Sequence, residues 1–378
     1  MATTTKKKRY ATHITLPSGK RIYISAKTKE ELDAKITQAK MEVNAGVDLG
    51  DDTTFKEYAQ LWLATYKQPR LRPTSYLVIE GLLRNHLLPF FGDMRLRDIK
   101  PVHVQMFLNK IRHLSKSTQT KCLHNFSAIM RTAVENGLIY RTPVTSGDRP
   151  SGEVGKSVEP LTQTQARALL SATKGTRAYL FCLLALSTGM RRGEIIGLMW
   201  EDIDFEHGRL TVRHNKVFPG NRDGLPVTTL LKTEAAHRVI PLSPELIAYL
   251  EEERKSSCSP YVLSMQNGDS LSAASFRSMW RIIEVRTADE NRPLGSTVCG
   301  SKDGNFTVTL DFHCHPHQLR HTCITQWVES GMDFKEVQYL AGHSSLDMTL
   351  KVYAHYRQSS RAQETANRVH SANAYLMA

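Results

Sequence analysis

The sequence predicts a mainly α-helical protein with small β-sheets, an α+β chain built from more than one domain. Three observations predict it. Phe55, Tyr58, Trp62 and Tyr66 recur at helical spacing and open a stretch that stays largely helix-prone to about residue 141. Short β-prone runs at residues 10–16, 21–24 and 210–240 are bounded by turn residues. Between them, residues 142–160 (TPVTSGDRPSGEVGKSVEP) carry three prolines, three glycines and almost no large apolar side chain, which is a linker composition.

Length and charge bound the rest. At 378 residues and 40% hydrophobic composition the chain can bury two or three cores. Fifty Lys and Arg against 37 Asp and Glu leave a net charge of +13. Such an excess points to a polyanionic partner, nucleic acid first, with a basic but otherwise ordinary soluble enzyme as the plainer alternative. No apolar run approaches the roughly 18 residues of a membrane span, and the start MATTTKKKRY has no signal-peptide core, so a cytoplasmic chain with no membrane partner is expected. Cys122, Cys182, Cys258, Cys299, Cys314 and Cys323 are scattered, as reduced cysteines are, and not spaced as a disulfide framework.

The elements follow in order. Lys6-Lys7-Lys8-Arg9 precedes two β-prone runs that flank the turn Pro17-Ser18-Gly19-Lys20. Thr28 with Glu31 three residues on reads as a capping box for a helix to about residue 43. This small basic sheet-plus-helix module can lay its strands on DNA, or be a solvated appendage; a polar linker follows to residue 52. Pro73 suits the first turn of a second long helix, Phe91-Gly92-Asp93 marks a turn, and residues 101–114 and 117–136 continue as helices with Lys110, Arg112, His113, Lys116 and Lys121 on a basic rim. After the linker, residues 162–171 and 178–187 read as helices, the second nearly all apolar and therefore buried. Thr188-Gly189 breaks it. Residues 210–212, 227–231 and 238–240 are strands, with Lys232-Thr233 near the turn between the last two. Helices resume from residue 243; residues 291–304 read as a polar loop, and 334–341 as a helix leading into Gly342-His343.

The chemistry gathers late in the chain. His317 and Arg320, at i and i+3, share one helical face and can converge on one anion. Tyr353 places a phenol ten residues after His343. Breaking a DNA strand without metal requires guanidinium forks for the charge that grows on the phosphate oxygens. It also requires a general acid for the leaving oxygen and a nucleophile. Each residue has a plainer reading: Arg191 could simply pair with Glu194, Lys232 alone is unremarkable, and His313, Cys314, His315, His317, His321 and Cys323 could instead hold zinc, although their crowding around Pro316 is not a standard ligand spacing.

Taken in order, Thr188-Gly-Met-Arg191-Arg-Gly-Glu194, Lys232-Thr, His317-x-x-Arg320-His-Thr, Leu340-Ala-Gly-His343 and Tyr353 resemble the signature of the tyrosine recombinases, the phage and transposon integrases. The helical segment with Leu71-Arg-Pro-Thr-Ser-Tyr76 and Phe91-Gly-Asp resembles that family's core-binding domain. The resemblance implies an N-terminal arm-type DNA-binding module at residues 1–50, a helical, SAM-like core-binding domain at 51–145, a linker at 146–160 and a mixed α/β catalytic domain with a C-terminal tail helix at 161–378.

By that resemblance Arg191, His317 and Arg320 activate the phosphate, His343 assists, Lys232 is the general acid, Tyr353 the nucleophile and Glu194 a supporting residue, with no metal and no cofactor. Tyr356 is a competing phenol. The implied reaction cuts and rejoins double-stranded DNA at core and arm sites through a 3′-phosphotyrosyl intermediate and a Holliday junction, in a homo-oligomer that is a tetramer in the synaptic complex. Excisionase and host DNA-bending proteins are its implied helpers. Ala362, Ala366, Val369, Ala372 and Leu376 mark a tail helix that packs on its own domain or docks on a neighbouring protomer. A type IB topoisomerase-like nicking-closing enzyme and a catalytically silent DNA-binding regulator are the competing functions.

Overall fold

The structure is a computed structural model that describes residues 9–16, 19–49, 51–153, 159–218, 227, 237–300 and 304–350. Lys232, Tyr353, Tyr356, most of the 227–231 run and the tail after residue 350 lie outside the described residues. The fold is mainly helical with small antiparallel sheets, and the chain divides into two compact units, Met1–Lys156 and Ser157–Ala378.

In the first unit, β1 (Tyr10–Thr15) and β2 (Arg21–Ala26) pair antiparallel, and α1 (Lys29–Asn44) packs against them. Ile14, Ile22 and Ile24 are shielded while His13, Tyr23 and Arg21 are exposed, the alternation that a sheet covered on one face requires. Thr28 caps α1 by accepting from the Glu31 amide, but the Glu31 carboxylate returns to the Lys27 amide, one residue earlier than the expected box.

The helical part that follows comprises α2 (Phe55–Trp62), α3 (Pro73–Leu82), α4 (Leu88–Phe91), α5 (Pro101–Lys110) and α6 (Lys116–Glu135). Thr54 and Glu57 form a full capping box on α2, and Pro73 and Pro101 stand in the first turns of α3 and α5, where a missing N–H leaves no gap. The aromatic stripe is core: Phe55, Tyr58 and Trp62 are buried, and Phe55, Phe91, Phe107 and Phe126 meet ring to ring, with Phe91 stacked on Phe126 at 4.4 Å. α5 stops at Lys110, short of the expected residue 114, because Ser115 supplies the cap of α6.

The proline- and glycine-bearing segment is less free than its composition suggests. Asp148 is buried and accepts from the Thr145 amide and the Gln105 side chain. Ser151 donates to Gln119, and Lys116 donates to the Glu153 carbonyl. Polar partners on α5 and α6, Gln119 among them buried, hold residues 145–153 against the helices, information that composition does not carry.

The second unit begins with α7 (Gln163–Thr173), α8 (Arg177–Thr188) and α9 (Arg192–Gly197). A three-stranded antiparallel sheet follows, in the order β3 (Ile203–Asp204), β4 (Arg209–Val212), β5 (Arg238–Pro241). Then come α10 (Pro244–Ser256), α11 (Ala273–Arg286), the hairpin β6 (Thr297–Gly300) and β7 (Gly304–Thr307), α12 (Pro316–Glu329) and α13 (Phe334–Ala341). The hairpin corrects the expected 291–304 loop: Thr297 pairs with Thr307 and Val298 with Phe306, so β-prone residues beyond the loop's expected end complete a strand pair that the polar stretch alone hides. The apolar α8 is the core helix, with Phe181, Leu184 and Ala185 fully buried and α12 packed along it.

Candidate active site

Two helix ends set the geometry. α8 ends on Gly189 at φ +60° and α13 on Gly342 at φ +63°, the left-handed cap that glycine adopts without strain. Each turn exposes carbonyls at the partially negative end of a helix, and arginines occupy them. Arg320, on the buried face of α12, donates to the Gly189 carbonyl at 2.6 Å and the Ala341 carbonyl at 2.5 Å. Arg191, the N-cap of α9, donates to the Gly342 carbonyl at 2.5 Å and to Glu194 Oε1 at 2.7 Å, while its amide donates to Glu194 Oε2 at 2.8 Å. The plainer reading of Arg191 and Glu194 as an ion pair is therefore present in the same contact that holds Arg191 at the site.

One glycine of this segment has a steric reason. A Cβ on Gly193 would lie 2.3 Å from Asn215 Oδ1 and 2.5 Å from the Lys216 carbonyl, whose own amide donates to the Gly193 carbonyl. Gly193→Ala is expected to push α9 away from the chain leaving β4 and to lower stability by about 1–3 kcal/mol, read as a lower thermal midpoint.

His317 lies on α12 one turn before Arg320, solvent-accessible as a residue, with its ring set edge-on to His321 at 4.6 Å. Partial burial, His321 and the guanidiniums of Arg320 and Arg191 hold its pKa below the ordinary histidine value. His343 follows Gly342 directly, is buried, and shares a 2.9 Å hydrogen bond with the Thr349 hydroxyl. Burial and then Arg320 and Arg191 lower its pKa to about 3. Both imidazoles are neutral at pH 7. Burial and Arg191 also lower Arg320, although a guanidinium remains charged at neutral pH. Glu194 is opposed by burial, which would raise it, and rescued by Arg238 and Arg191, which hold it at about 2.

A buried imidazole kept neutral binds fewer protons than the same residue in the unfolded chain. The stability it contributes is complete above about pH 6.5 and is lost as pH falls toward the folded value near 3. The thermal midpoint is therefore expected to drop about 2–4 °C from pH 6 to pH 5 on account of His343. His343→Asn, measured across the same range, should remove that part of the slope.

Thus Arg191, Glu194, Arg320 and His343 come together around the end of α13, with His317 beside them on α12. The zinc reading gains no support: among the described residues the possible metal-ligand cluster is Glu201, Asp202 and His214, which includes none of the histidine and cysteine run. Burial raises the Cys314 thiol to about 12 and raises Cys323 as well, so neither is a ready thiolate.

A residue that sequence reasoning passed over also enters the site. Arg238 opens β5 fully buried, donating to the Leu340 carbonyl at 2.6 Å and to Glu194 Oε2 at 2.8 Å. The sequence shows only that Arg238 and Ile240 share one face of the strand; the structure turns that face inward and leaves Val239 exposed, so the strand buries its charge and exposes its valine.

Comparison with known proteins agrees with this architecture. Residues 159–360 match the Phage integrase family, and residues 54–112 match the Phage integrase, N-terminal SAM-like domain. The chain is 27% identical over 374 residues to a tyrosine recombinase XerC-like protein of Caldanaerobacter subterraneus subsp. tengcongensis, covering 90% of each. In fold it is similar to the integrase of transposon Tn1549 in complex with transposon right end DNA, at a TM-score of 0.66 and 21% identity over 85% of this chain and 100% of that one. It is also similar to lambda integrase in a tetramer bound to a Holliday junction, at a TM-score of 0.59 and 16% identity over 88% and 93%.

Proposed function

The chain belongs to the phage integrase family of tyrosine recombinases, and from that premise we propose that it cuts and rejoins duplex DNA through a phosphotyrosine on Tyr353. It is a site-specific recombinase, a DNA strand transferase serving the integration of a mobile element. The observation that supports the residue roles is the surplus of positive charge around the end of α13, where, among the described residues, Arg191, Arg238 and Arg320 face the carboxylate of Glu194. Such a surplus is stable against an anion, and the terminal guanidinium nitrogens of Arg191 and Arg320 each carry a second hydrogen to offer one.

In this reading Arg191, Arg320, His317 and His343 hold the non-bridging oxygens of the scissile phosphate. With Thr349 donating to its Nδ1, His343 carries its hydrogen on Nε2 and donates it. The Tyr353 oxygen attacks phosphorus and its proton passes to solvent; the bond to the 5′ oxygen breaks, and Lys232 protonates that oxygen. The phosphotyrosyl bond keeps the energy of the cleaved one, so a 5′ hydroxyl from another strand can reverse the step. Residues 1–50 and 51–145 serve as arm-type and core-binding DNA modules, joined by 146–160 to a catalytic domain at 161–378. The Tyr23, His13 and Arg21 face of the small sheet is open for a duplex.

Assembly on DNA as a tetramer, with an excisionase and host DNA-bending proteins setting direction, fits the family. No described helix is long and apolar enough to cross a membrane, and a cytoplasmic enzyme with access to duplex DNA is consistent with this reading. A duplex nicked near the cleavage point should trap the covalent adduct, and intact sites should then yield joined products from two separate duplexes. Relaxation of one duplex without joining would instead support a topoisomerase-like activity, and no adduct with any site-bearing DNA would sink the catalytic reading.

A further inference from the structure

We propose that Arg238 is a positioning residue that ties Glu194, and through it Arg191, to the C-terminal end of α13. The inference rests on the phosphotyrosyl reading above. Arg238 comes from β5, Glu194 and Arg191 from the start of α9, and the carbonyls from α13. The bonds close a ring: Leu340 carbonyl to Arg238 Nε at 2.6 Å, Arg238 to Glu194 at 2.8 and 3.3 Å, Glu194 to Arg191 at 2.7 Å, and Arg191 to the Gly342 carbonyl at 2.5 Å. Arg320 takes the Ala341 carbonyl between the two ends of that ring.

A closed ring fixes each member from two sides. Without Arg238, Glu194 would hold Arg191 from one side alone and the Leu340 carbonyl would lose this donor. The charge balance would also change. Glu194 now divides its charge between two guanidiniums, which leaves Arg191 under-compensated and available to a phosphate. With Arg238 removed, Glu194 and Arg191 would neutralise each other. An apolar side chain would fill this inward strand position without burying a charge, so the arginine is better explained by what it holds than by packing.

Arg238→Gln and Arg238→Lys in the full-length chain test the inference on a nicked suicide duplex under single-turnover conditions. The rate constant reports the molecules that react, whereas partial unfolding lowers the amplitude. Arg238→Gln should lower the rate constant about 10²-fold, with DNA affinity unchanged. Arg238→Lys should recover part of it, because an ammonium neutralises Glu194 but cannot fork to a carboxylate and a carbonyl together.

A second readout follows from Glu194, which would then be faced, among the described residues, by Arg191 on α9 and Arg320 on α12. Its carboxyl should rise, so the glutamine variant should lose rate with falling pH at a higher pH than the wild type. A residue that merely holds the fold would lower the adduct amplitude and leave both the rate constant and the acid limb in place. That outcome, or failure of both variants to fold, overturns the positioning role. An adduct from the wild type with unchanged kinetics in Arg238→Gln sinks this inference alone, while no adduct from the wild type sinks the phosphotyrosyl reading and this one with it.

Discussion

Tyr353→Phe forms no covalent protein–DNA adduct on a nicked suicide duplex, while Tyr356→Phe forms it at close to the wild-type rate. The phenylalanine keeps the ring and removes the attacking oxygen, so the covalent route is closed and not merely slowed. Binding should survive, because the guanidiniums and imidazoles of the phosphate site come from α9, α12 and the turn after α13, none of which contains the substituted residue. The paired variants matter because the two phenols stand three residues apart in the sequence. A band of covalent adduct on a denaturing gel, lost in Tyr353→Phe alone, supports the assignment. Loss in Tyr356→Phe with retention in Tyr353→Phe would move the nucleophile to Tyr356.

Much of this site was legible before any coordinates, because its residues sit in ordered local motifs whose physics is local. The glycines of Thr188-Gly189 and Gly342-His343 end helices, Arg191 and Glu194 are a helix turn apart, and His317 and Arg320 share a face. What could not be read were partners joined across distance. The carbonyls that hold Arg191 and Arg320 belong to residues whose side chains carry no signal. The sequence places Arg238 only as part of a strand at 238–240, and which face of that strand turns inward depends on the packing of β5 against the rest of the unit. The same limit explains the fold's departures: Asp148 and Gln119 hold a proline- and glycine-bearing segment through bonds to α5 and α6, and Thr307 completes a hairpin with Thr297. Pairings of this kind are tertiary, and composition windows do not see them.

The same long-range bonds make Arg320→Lys the most damaging conservative change in the clamp. Arg320 is 2% exposed and spans the ends of two helices, with one terminal nitrogen on the Gly189 carbonyl and the other on the Ala341 carbonyl. Those bonds use one hydrogen of each nitrogen, and the remaining hydrogens give the planar fork a phosphate can use. A lysine has one nitrogen in place of that fork. It can reach one of the two carbonyls, leaving the other buried without its donor at a cost of about 1–3 kcal/mol. Burial would also depress an ammonium's pKa much further than a guanidinium's, eroding the charge itself. Arg320→Lys is therefore expected to lower the single-turnover cleavage rate constant about 10³-fold and to lower the thermal midpoint by several degrees, with DNA affinity reduced far less. If the rate constant instead stays within about threefold of the wild type while the midpoint falls, Arg320 acts as a strut between α8 and α13, and the phosphate must be held by Arg191 and the histidines without it.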